Sequence, residues 1–381
     1  MDAVEEIKRR LDLVDYVSRT VPLQRSGRNF KACCPFHSER TPSFYVFPDR
    51  GSWRCFGQSA DGGDIFSFVE KRDNGTFKDA LELLAREAGV ELVRRSQDDR
   101  DAEERLRAVV DASAAFFQEQ LAAPAGAEAR AYLERRVITP ETIAAFRIGW
   151  APDEWRRLHD HLGAQGFAKE DMLRAGLVIE RDDASSVYDR FRGRVIIPIA
   201  DERGQLVGFG GRTLGDGQPK YLNSPQTKLF DKGRTLFGLN TARDAIRAEG
   251  AAVVVEGYMD VIGPWQAGFR NVVATMGTSL TEQHARMLTR FSKRIVLAMD
   301  PDAAGRQAAE RAGEIVLSAG SVPEMMLSAR SASNLSQDAE VDLRVAPLPA
   351  GRDPDEIIRD DPDLWRRAIA EAQPYVEFLL E

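Results

Sequence analysis

Cys34, His37 and Cys55 carry the plainest chemistry in the sequence. Cys34-Pro-Phe-His37 sets a thiolate and an imidazole at C-x2-H spacing, and 17 residues intervene before Cys55. Zn2+ takes four soft or borderline donors in a tetrahedron, usually as two pairs presented from facing turns. The segment between the pair and Cys55 reads as the hairpin that would carry them. All three cysteines (Cys33, Cys34, Cys55) fall in this stretch. An odd, clustered set points to metal before crosslinking in a reducing compartment. The fourth donor is missing: after Cys55 the chain runs FGQSADGGD, where Gln58 and Ser59 supply neither thiolate nor imidazole. Zinc is expected with a weakened or water-completed fourth position. The competing reading is buried thiols in a fold that has lost its metal.

A second group of residues is acidic. Val253 to Val255 ends at Glu256 in VEGYMD; Ile295 to Met299 ends at Asp300 in DPDAAG, which adds Asp302; Val345 to Leu348 precedes GRDPDE with Asp353 and Asp355. A single Asp after a strand is most often a helix N-cap. Three such motifs are better explained by convergence at the carboxyl ends of parallel strands. Clustered carboxylates repel one another, and Mg2+ or Mn2+ relieves that repulsion while bridging phosphate oxygens. Gly305 then opens a helix whose N-terminus favours anions.

Between these groups lies YDRFRGRVIIPI, GFGGR and PKYLNSPQTKLFDKGRTLFG, dense in cations, glycines and turn residues. Such residues neutralise phosphates and let the backbone approach a ligand, although a Lys/Arg-guarded strand edge looks similar. Near the zinc motif, Phe30, Lys31, Arg40, Phe44, Tyr45, Phe47, Arg50, Trp53, Arg54 and Phe56 interleave rings with cations. Single-stranded nucleic-acid sites are built this way, but alternate positions of a small sheet must face inward, so one or two exposed rings are expected.

The elements that position these residues follow from periodicity. Val4, Ile7, Leu11 and Val14 are spaced as a helix; Ser43 to Phe47 and Ser52 to Phe56 read as strands; Ile65 to Glu70 and Phe77 to Ala88 read as helices. The charged stretch at 94–105 reads as a linker or a solvated helix start. Helices are expected over 106–121, 128–136 and 141–146, then strands over Arg194 to Ala200 and Leu206 to Gly210. From 250 on, the runs Ala252 to Val255, Asn271 to Ala274 and Ile295 to Met299 alternate with helical patterns, the signature of parallel strands with crossover helices. The polar stretch 327–340 reads as a loop.

The whole chain has 381 residues, 43% hydrophobic and 29% charged, with a net charge of -8. That excludes a disordered chain, a collagen or a uniformly basic nucleic-acid binder. Charge is segregated instead: net +5 over 16–60, +4 over 186–240 and -5 over 350–381. A protein holding a polyanion in one place and cations in another needs such segregation. No apolar run approaches the ~20 residues that cross a bilayer, and the charged start is unlike a signal peptide, so a cytoplasmic protein is expected.

The motifs CPFHSERTPSF, CFG…GGDIFSFV, YDRFRGRVIIPI, GFGGR, KYLNSPQT, VEGYMDV, GTSLTEQH and DPDAAG, in this order, resemble the bacterial replicative DNA primases of the DnaG type over the full chain. The resemblance implies an α+β chain: a zinc-ribbon domain at 1–95, a linker at 96–106, a basic subdomain of an RNA polymerase domain at 107–249, a Toprim α/β domain at 250–335, and an acidic loop with a helical end at 336–381. It implies a nucleotidyltransferase that makes short RNA primers from ribonucleoside triphosphates on single-stranded DNA. Zinc would sit on Cys34, His37 and Cys55, and two or more Mg2+ or Mn2+ ions on Glu256, Asp260, Asp300, Asp302, Asp353 and Asp355, with Glu256, Asp300 and Asp302 catalytic. Arg190, Arg192, Arg212, Lys220 and Lys232 match the family's template and nucleotide ridge.

Three departures stand out. Ser59, or Gln58 when counted from Cys55, replaces the family's last cysteine. Asp-Pro-Asp replaces the usual Asp-Gly-Asp. The family's helicase-docking domain would begin where this chain ends, so the replicative helicase is a partner of the family that this stretch is not expected to engage. The rival readings are a topoisomerase or nuclease of Toprim type, and a catalytically silent single-strand-binding adaptor of the replisome.

Overall fold

The computed structural model describes residues 3–91, 97–181, 186–215, 217–277, 279–300, 303–320, 341–349 and 351–380. Asp302 and the polar stretch 327–340 therefore lie outside the described residues. The chain divides into two compact units, 1–96 and 97–381.

The first unit opens with helices Ala3–Arg10 and Leu13–Ser18. The single helix expected from the apolar spacing is split at Asp12, whose side chain accepts the backbone N–H of Asp15 and caps a second helix. An antiparallel sheet follows, in the order Gln24–Ser26, Asn29–Ala32, Phe44–Phe47, Ser52–Cys55, Gly62–Gly63. Pairing of Phe44 with Cys55 and Val46 with Trp53 points these four side chains inward, whereas Tyr45 and Arg54 pair on the outer face. Phe36, Phe44, Trp53 and Phe68 form an aromatic core with ring centroids 5.2–6.2 Å apart. Helices Ile65–Asp73 and Phe77–Ala88 close the unit, the second through a reciprocal Thr76/Asp79 capping box.

The second unit begins with helix Gln97–Ala122, so from residue 97 on the charged stretch takes the second of its two expected forms, a solvated helix start, and 94–96 lie outside the described residues. Its 106–122 half buries Leu106, Val109, Val110, Phe116 and Phe117. An antiparallel sheet runs in the order Tyr221–Asn223, Leu206–Thr213, Arg194–Ala200, Gly149–Ala151, and the small ribbon Val178–Glu180/Val187–Asp189 lies outside it. The sheet that positions the acids has the order Val272–Ala274, Ala251–Val255, Arg294–Leu297, Asp342–Val345, Gln373–Pro374. Its first four strands are parallel and the last is antiparallel. Val253, Val254, Val255, Ile295, Val296 and Leu297 are fully buried, as continuous β-branched runs covered on both faces require. Helix Met259–Gln266 carries the chain from the Ala251 strand to one neighbour, and helix Ala303–Gly320 leads from the Arg294 strand toward the other side. The order thus reverses between Ala251–Val255 and Arg294–Leu297, the place where open α/β sheets form a crevice at their carboxyl ends. Among the described residues no helix is long and apolar enough to cross a membrane.

Candidate functional site

The first unit brings Cys34, His37 and Cys55 together: one ligand atom from each lies within 4.8 Å of the others. His37 Nδ1 is 3.9 Å from Cys55 Sγ, and the opposite ring nitrogen meets Glu39 Oε2 at 3.0 Å. An imidazole held from behind by a carboxylate is oriented for metal ligation. Glu39 is itself fixed by the Ser43 hydroxyl and by the backbone N–H groups of Cys34 and Ser43, which pull its carboxyl down to about 2. Burial works against ionisation of Cys55, yet hydrogen bonds from Ser43, Ser59 and the Gly57 N–H bring its thiol down to about 7; burial raises that of Cys34. Ser59 lies beside the group, its Oγ 3.9 Å from Cys34 Sγ. Two thiolates, an imidazole and a hydroxyl in this arrangement fit zinc. Cys33 is exposed and outside the group.

The outer face of the same sheet carries rings and cations. Lys31, Tyr45 and Arg54 are cross-strand neighbours. Tyr45 stacks on Phe47 at 6.4 Å and meets Phe56 edge-on at 5.5 Å, while Arg50 and Arg54 lie over Phe47 and Phe56. Phe56 is 63% exposed. Phe44 and Trp53 belong to the core, as alternation predicts.

In the second unit Glu256 and Asp300 are joined at the sheet's reversal point, and the charges of Asp300, Asp353 and Asp355 reach Asp260. Among the described residues these acids do not close into a set of three ligand atoms as Cys34, His37 and Cys55 do. Glu256 follows the Ala251–Val255 strand, and its Oε1 accepts the backbone N–H of Asp300 at 3.3 Å, across 44 residues of sequence. Asp260, on the first turn of the next helix, accepts the Gly257 N–H. Its carboxyl is pushed up to about 7, first by burial and then by the charges of Asp300, Asp353 and Asp355. A divalent cation would offset this repulsion and hold the carboxylates ionised, and an all-oxygen donor set suits such a hard ion. Gly305 packs so closely on Asp300 that a Cβ there would fall 1.9 Å from the Asp300 carbonyl oxygen. Asp353 caps helix Pro354–Asp360 through the Glu356 N–H. Asp355 is 3% exposed and paired with Arg136.

The basic residues separate into kinds. Arg212 lies between two tyrosines, 5.3 Å from the Tyr132 ring and 5.1 Å from the Tyr221 ring, and donates to the Tyr221 hydroxyl. Its Nε and the Tyr132 hydroxyl are buried and without a hydrogen-bond partner among the described residues. Arg192 covers one face of Trp155 at 4.4 Å and meets Tyr188 at 5.1 Å, and Trp155 is 60% exposed. Arg190 is partly buried, and burial lowers its pKa. Lys220 is exposed before the Tyr221 strand; Lys232 sits on a short turn held by the Thr281 hydroxyl through Gly233 O. Tyr258, in VEGYMD, is buried and donates to Asn223 Oδ1, while Asn223 donates to the Met276 carbonyl. Gly210 admits that ring, since a Cβ would lie 2.5 Å from it.

Tyr132, Arg136, Trp155, Tyr221 and Tyr258 were not singled out by sequence reasoning. Tyr221 stands beside Lys220 and Tyr258 beside Glu256, so adjacency was a usable signal for those two. Tyr132, Arg136 and Trp155 reach the site only through tertiary contacts.

Comparison with known proteins matches residues 1–100 to the CHC2 zinc finger, 116–243 to the N-terminal domain of the DNA primase catalytic core, and 250–323 to a Toprim domain. The chain is 42% identical over 363 residues to the DNA primase of Halalkalibacterium halodurans, covering 94% of this chain and 57% of that protein. It is 42% identical over 387 residues to the DNA primase of Pseudomonas putida, covering 99% and 56%. The chain thus spans little more than half the length of these relatives. Among solved structures, the Aquifex aeolicus primase (zinc binding and RNA polymerase domains) aligns at 34% identity, TM-score 0.62, over 98% of this chain and 86% of that one. A DnaG primase catalytic domain bound to single-stranded DNA aligns at 36% identity, TM-score 0.65, over 74% and 83%.

Proposed function

Because the chain belongs to the DnaG-type bacterial primases, we propose that it is a DNA-directed RNA polymerase that synthesises short RNA primers on single-stranded DNA at the cytoplasmic replication fork. The observation that supports this reading is the contact of Glu256 with Asp300 at the reversal point of a parallel sheet, with Asp260 in the field of Asp300 and Asp353. These carboxylates, with Asp302 on sequence grounds, would hold Mg2+ or Mn2+. When bound, such ions lower the pKa of the attacking hydroxyl and offset charge on the leaving pyrophosphate.

The protein's own groups do the rest. The 3′-hydroxyl of one ribonucleotide attacks the α-phosphorus of the next, its proton passes to solvent as the P–O bond forms, and pyrophosphate departs with the electron pair of the broken α-phosphorus–oxygen bond. No side-chain nucleophile takes part. Arg212, pinned between Tyr132 and Tyr221, would set its positive charge beside the phosphates in a geometry fixed before the ligand arrives. Exposed Trp155, capped on one face by Arg192, offers the other face to a template base. Lys220, Lys232 and Arg190 add cations that hold backbone phosphates without reading sequence. The ring-and-cation face of the zinc unit would contact the template in the same manner, and zinc on Cys34, His37, Cys55 and Ser59 would fix that small sheet. The replicative helicase is the protein partner that the family relationship suggests.

Glu256→Gln tests the assignment. It keeps the hydrogen bond to Asp300 and removes a negative charge from the rim. Ribonucleotide incorporation on a single-stranded template should fall at least ~10³-fold, as for loss of a transition-state electrostatic group, with DNA affinity within about twofold. Synthesis at a tenth or more of the unsubstituted rate would remove the carboxylate rim from the chemistry.

A further inference from the structure

Asp355 stands apart from the other acids of the rim. Its side chain is 4% exposed, and its Oδ2 meets Arg136 Nη1 at 2.5 Å and Arg359 Nη1 at 3.5 Å. Its Oδ1 faces Gly263 on helix Met259–Gln266, so close that a Cβ there would sit 3.1 Å away. A carboxylate with one oxygen shared by two guanidinium groups and the other against backbone has no free face for a cation. Two fixed positive charges also repel one at short range.

Arg136 ends helix Ala127–Arg135 and lies 219 residues from its partner in sequence. Its guanidinium is 5.8 Å from the Tyr132 ring, the ring that also stacks with Arg212. The turn after it is tied to the same helix as Asp260: Gln266 Oε1 accepts the Thr139 N–H at 2.9 Å, and Gln266 Nε2 donates to Val137 O at 2.8 Å. The row Asp355, Arg136, Tyr132, Arg212, Tyr221 is therefore continuous, and it joins the helix after the last acidic strand to the cation with the unpartnered Nε. Breaking one half of a buried ion pair leaves the other charge uncompensated.

We propose that Asp355 is a positioning residue: its ion pair with Arg136 sets the Tyr132–Arg212–Tyr221 stack beside the rim, and it takes no part in binding divalent ions. The proposal rests on the primer-synthesis reading for the meaning of the rim and ridge, but its ion-binding arm does not depend on activity.

The test compares the full chain with Asp355→Asn, Arg136→Gln, their combination, and the conservative Arg136→Lys. Mn2+ binding is followed by the electron paramagnetic resonance of free Mn2+, with Glu256→Gln as the variant that lowers it. Ribonucleotide KM and kcat and the thermal midpoint are measured on the same samples. Asp355→Asn should bind as many Mn2+ ions as the unsubstituted chain, with affinity within about twofold, while KM rises about tenfold and kcat changes less than about threefold. The double variant should be no worse than the weaker single, because both remove one interaction. Arg136→Lys, which keeps the charge, should recover KM to within about threefold. Loss of one bound Mn2+ in Asp355→Asn would overturn the proposal, as would multiplicative effects in the double variant. A lower thermal midpoint with unchanged KM would also overturn it, by reducing the pair to a structural contact. If Asp355→Asn does not fold, Arg136→Gln, altering a partly exposed side chain, carries the kinetic arm. If the unsubstituted chain incorporates no ribonucleotide, the functional reading fails and the Mn2+ comparison still decides the role of Asp355.

Discussion

Restoring a thiolate at the fourth corner of the zinc site should tighten metal binding by a calculable amount. Two sulfurs each about 2.3 Å from a tetrahedral zinc lie about 3.8 Å apart, and Ser59 Oγ already sits 3.9 Å from Cys34 Sγ. Ser59→Cys therefore needs little backbone movement. Structural four-ligand sites bind with about 10–16 kcal/mol at neutral pH. One strong ligand in four then carries about 3–4 kcal/mol, less the part a hydroxyl or water already supplies. At about 1.4 kcal/mol per decade, the gain is roughly two orders of magnitude in Kd. The assay is competition for Zn2+ against a chromophoric chelator at pH 7.5. The Co2+ form gives a second readout, since its sulfur-to-metal absorption should grow with a third thiolate. Because the metal binds only the folded unit, the melting temperature of the zinc-loaded protein should rise as well. An affinity gain below about threefold, or a larger gain from Gln58→Cys, would refute the placement of Ser59 at the metal.

Two further outcomes follow from the second unit. His284 is buried; burial pushes its imidazole down to about 4, against the carbonyls of Lys232 and Thr235 and the charge of Asp231, which act in the opposite sense. The unfolded imidazole takes up a proton near pH 6.5 and the folded one does not. The associated stability is thus complete above about pH 6.5 and is lost as pH falls toward 4, up to ~3 kcal/mol. Nitrogen-detected NMR should show His284 neutral at pH 5.5; a midpoint near 6.5 would contradict its burial. Trp155→Ala should weaken binding of single-stranded DNA about tenfold, at the lower end of the ~1–3 kcal/mol attributed to stacking one base. Fluorescence anisotropy at fixed salt would measure it, and an unchanged Kd would leave the exposed ring without a role in template binding.

The acidic rim was legible in the sequence because strand and ligand are written together. A buried β-branched run must be a strand covered on both faces, and an acid placed straight after it must emerge at the sheet's carboxyl edge. Glu256 and Asp300 need only that rule to be brought near each other. The zinc triad was legible for a similar reason, since spacing across a hairpin sets its geometry. The fourth position was not, because counting from Cys55 and from the GGD motif gave different residues, and only the turn at 56–60 brings Ser59 Oγ to 3.9 Å from Cys34 Sγ. The charged stretch at 94–105 left a linker and a solvated helix start both open because it lacks an apolar stripe, and from Gln97 on it is the helix start. Its Asp, Glu and Arg residues nevertheless extend a helix nucleated by the buried face of 106–122, and propagation costs far less than nucleation. Arg136 was invisible because its meaning lies in a partner 219 residues away.

The same asymmetry explains how opposite charges share one unit without cancelling. Arg212 is adjacent in sequence to no acid, and its cation is packed between the faces of Tyr132 and Tyr221, where a ring quadrupole stabilises it without neutralising it. Arg136, one helix turn from Tyr132, is the cation given to a carboxylate, and that carboxylate is the one buried away from the rim. The other acids accept backbone N–H groups that orient them: Asp300 N–H to Glu256, Gly257 N–H to Asp260, Glu356 N–H to Asp353. A rim whose charges were met by arginines would have no use for divalent ions, and a ridge whose arginines were met by carboxylates would have none for phosphate. On the proposed function, the tyrosine rings around Arg212 and the peptide N–H groups at Glu256, Asp260 and Asp353 orient two kinds of charge within one unit, the first for a polyanion and the second for divalent ions.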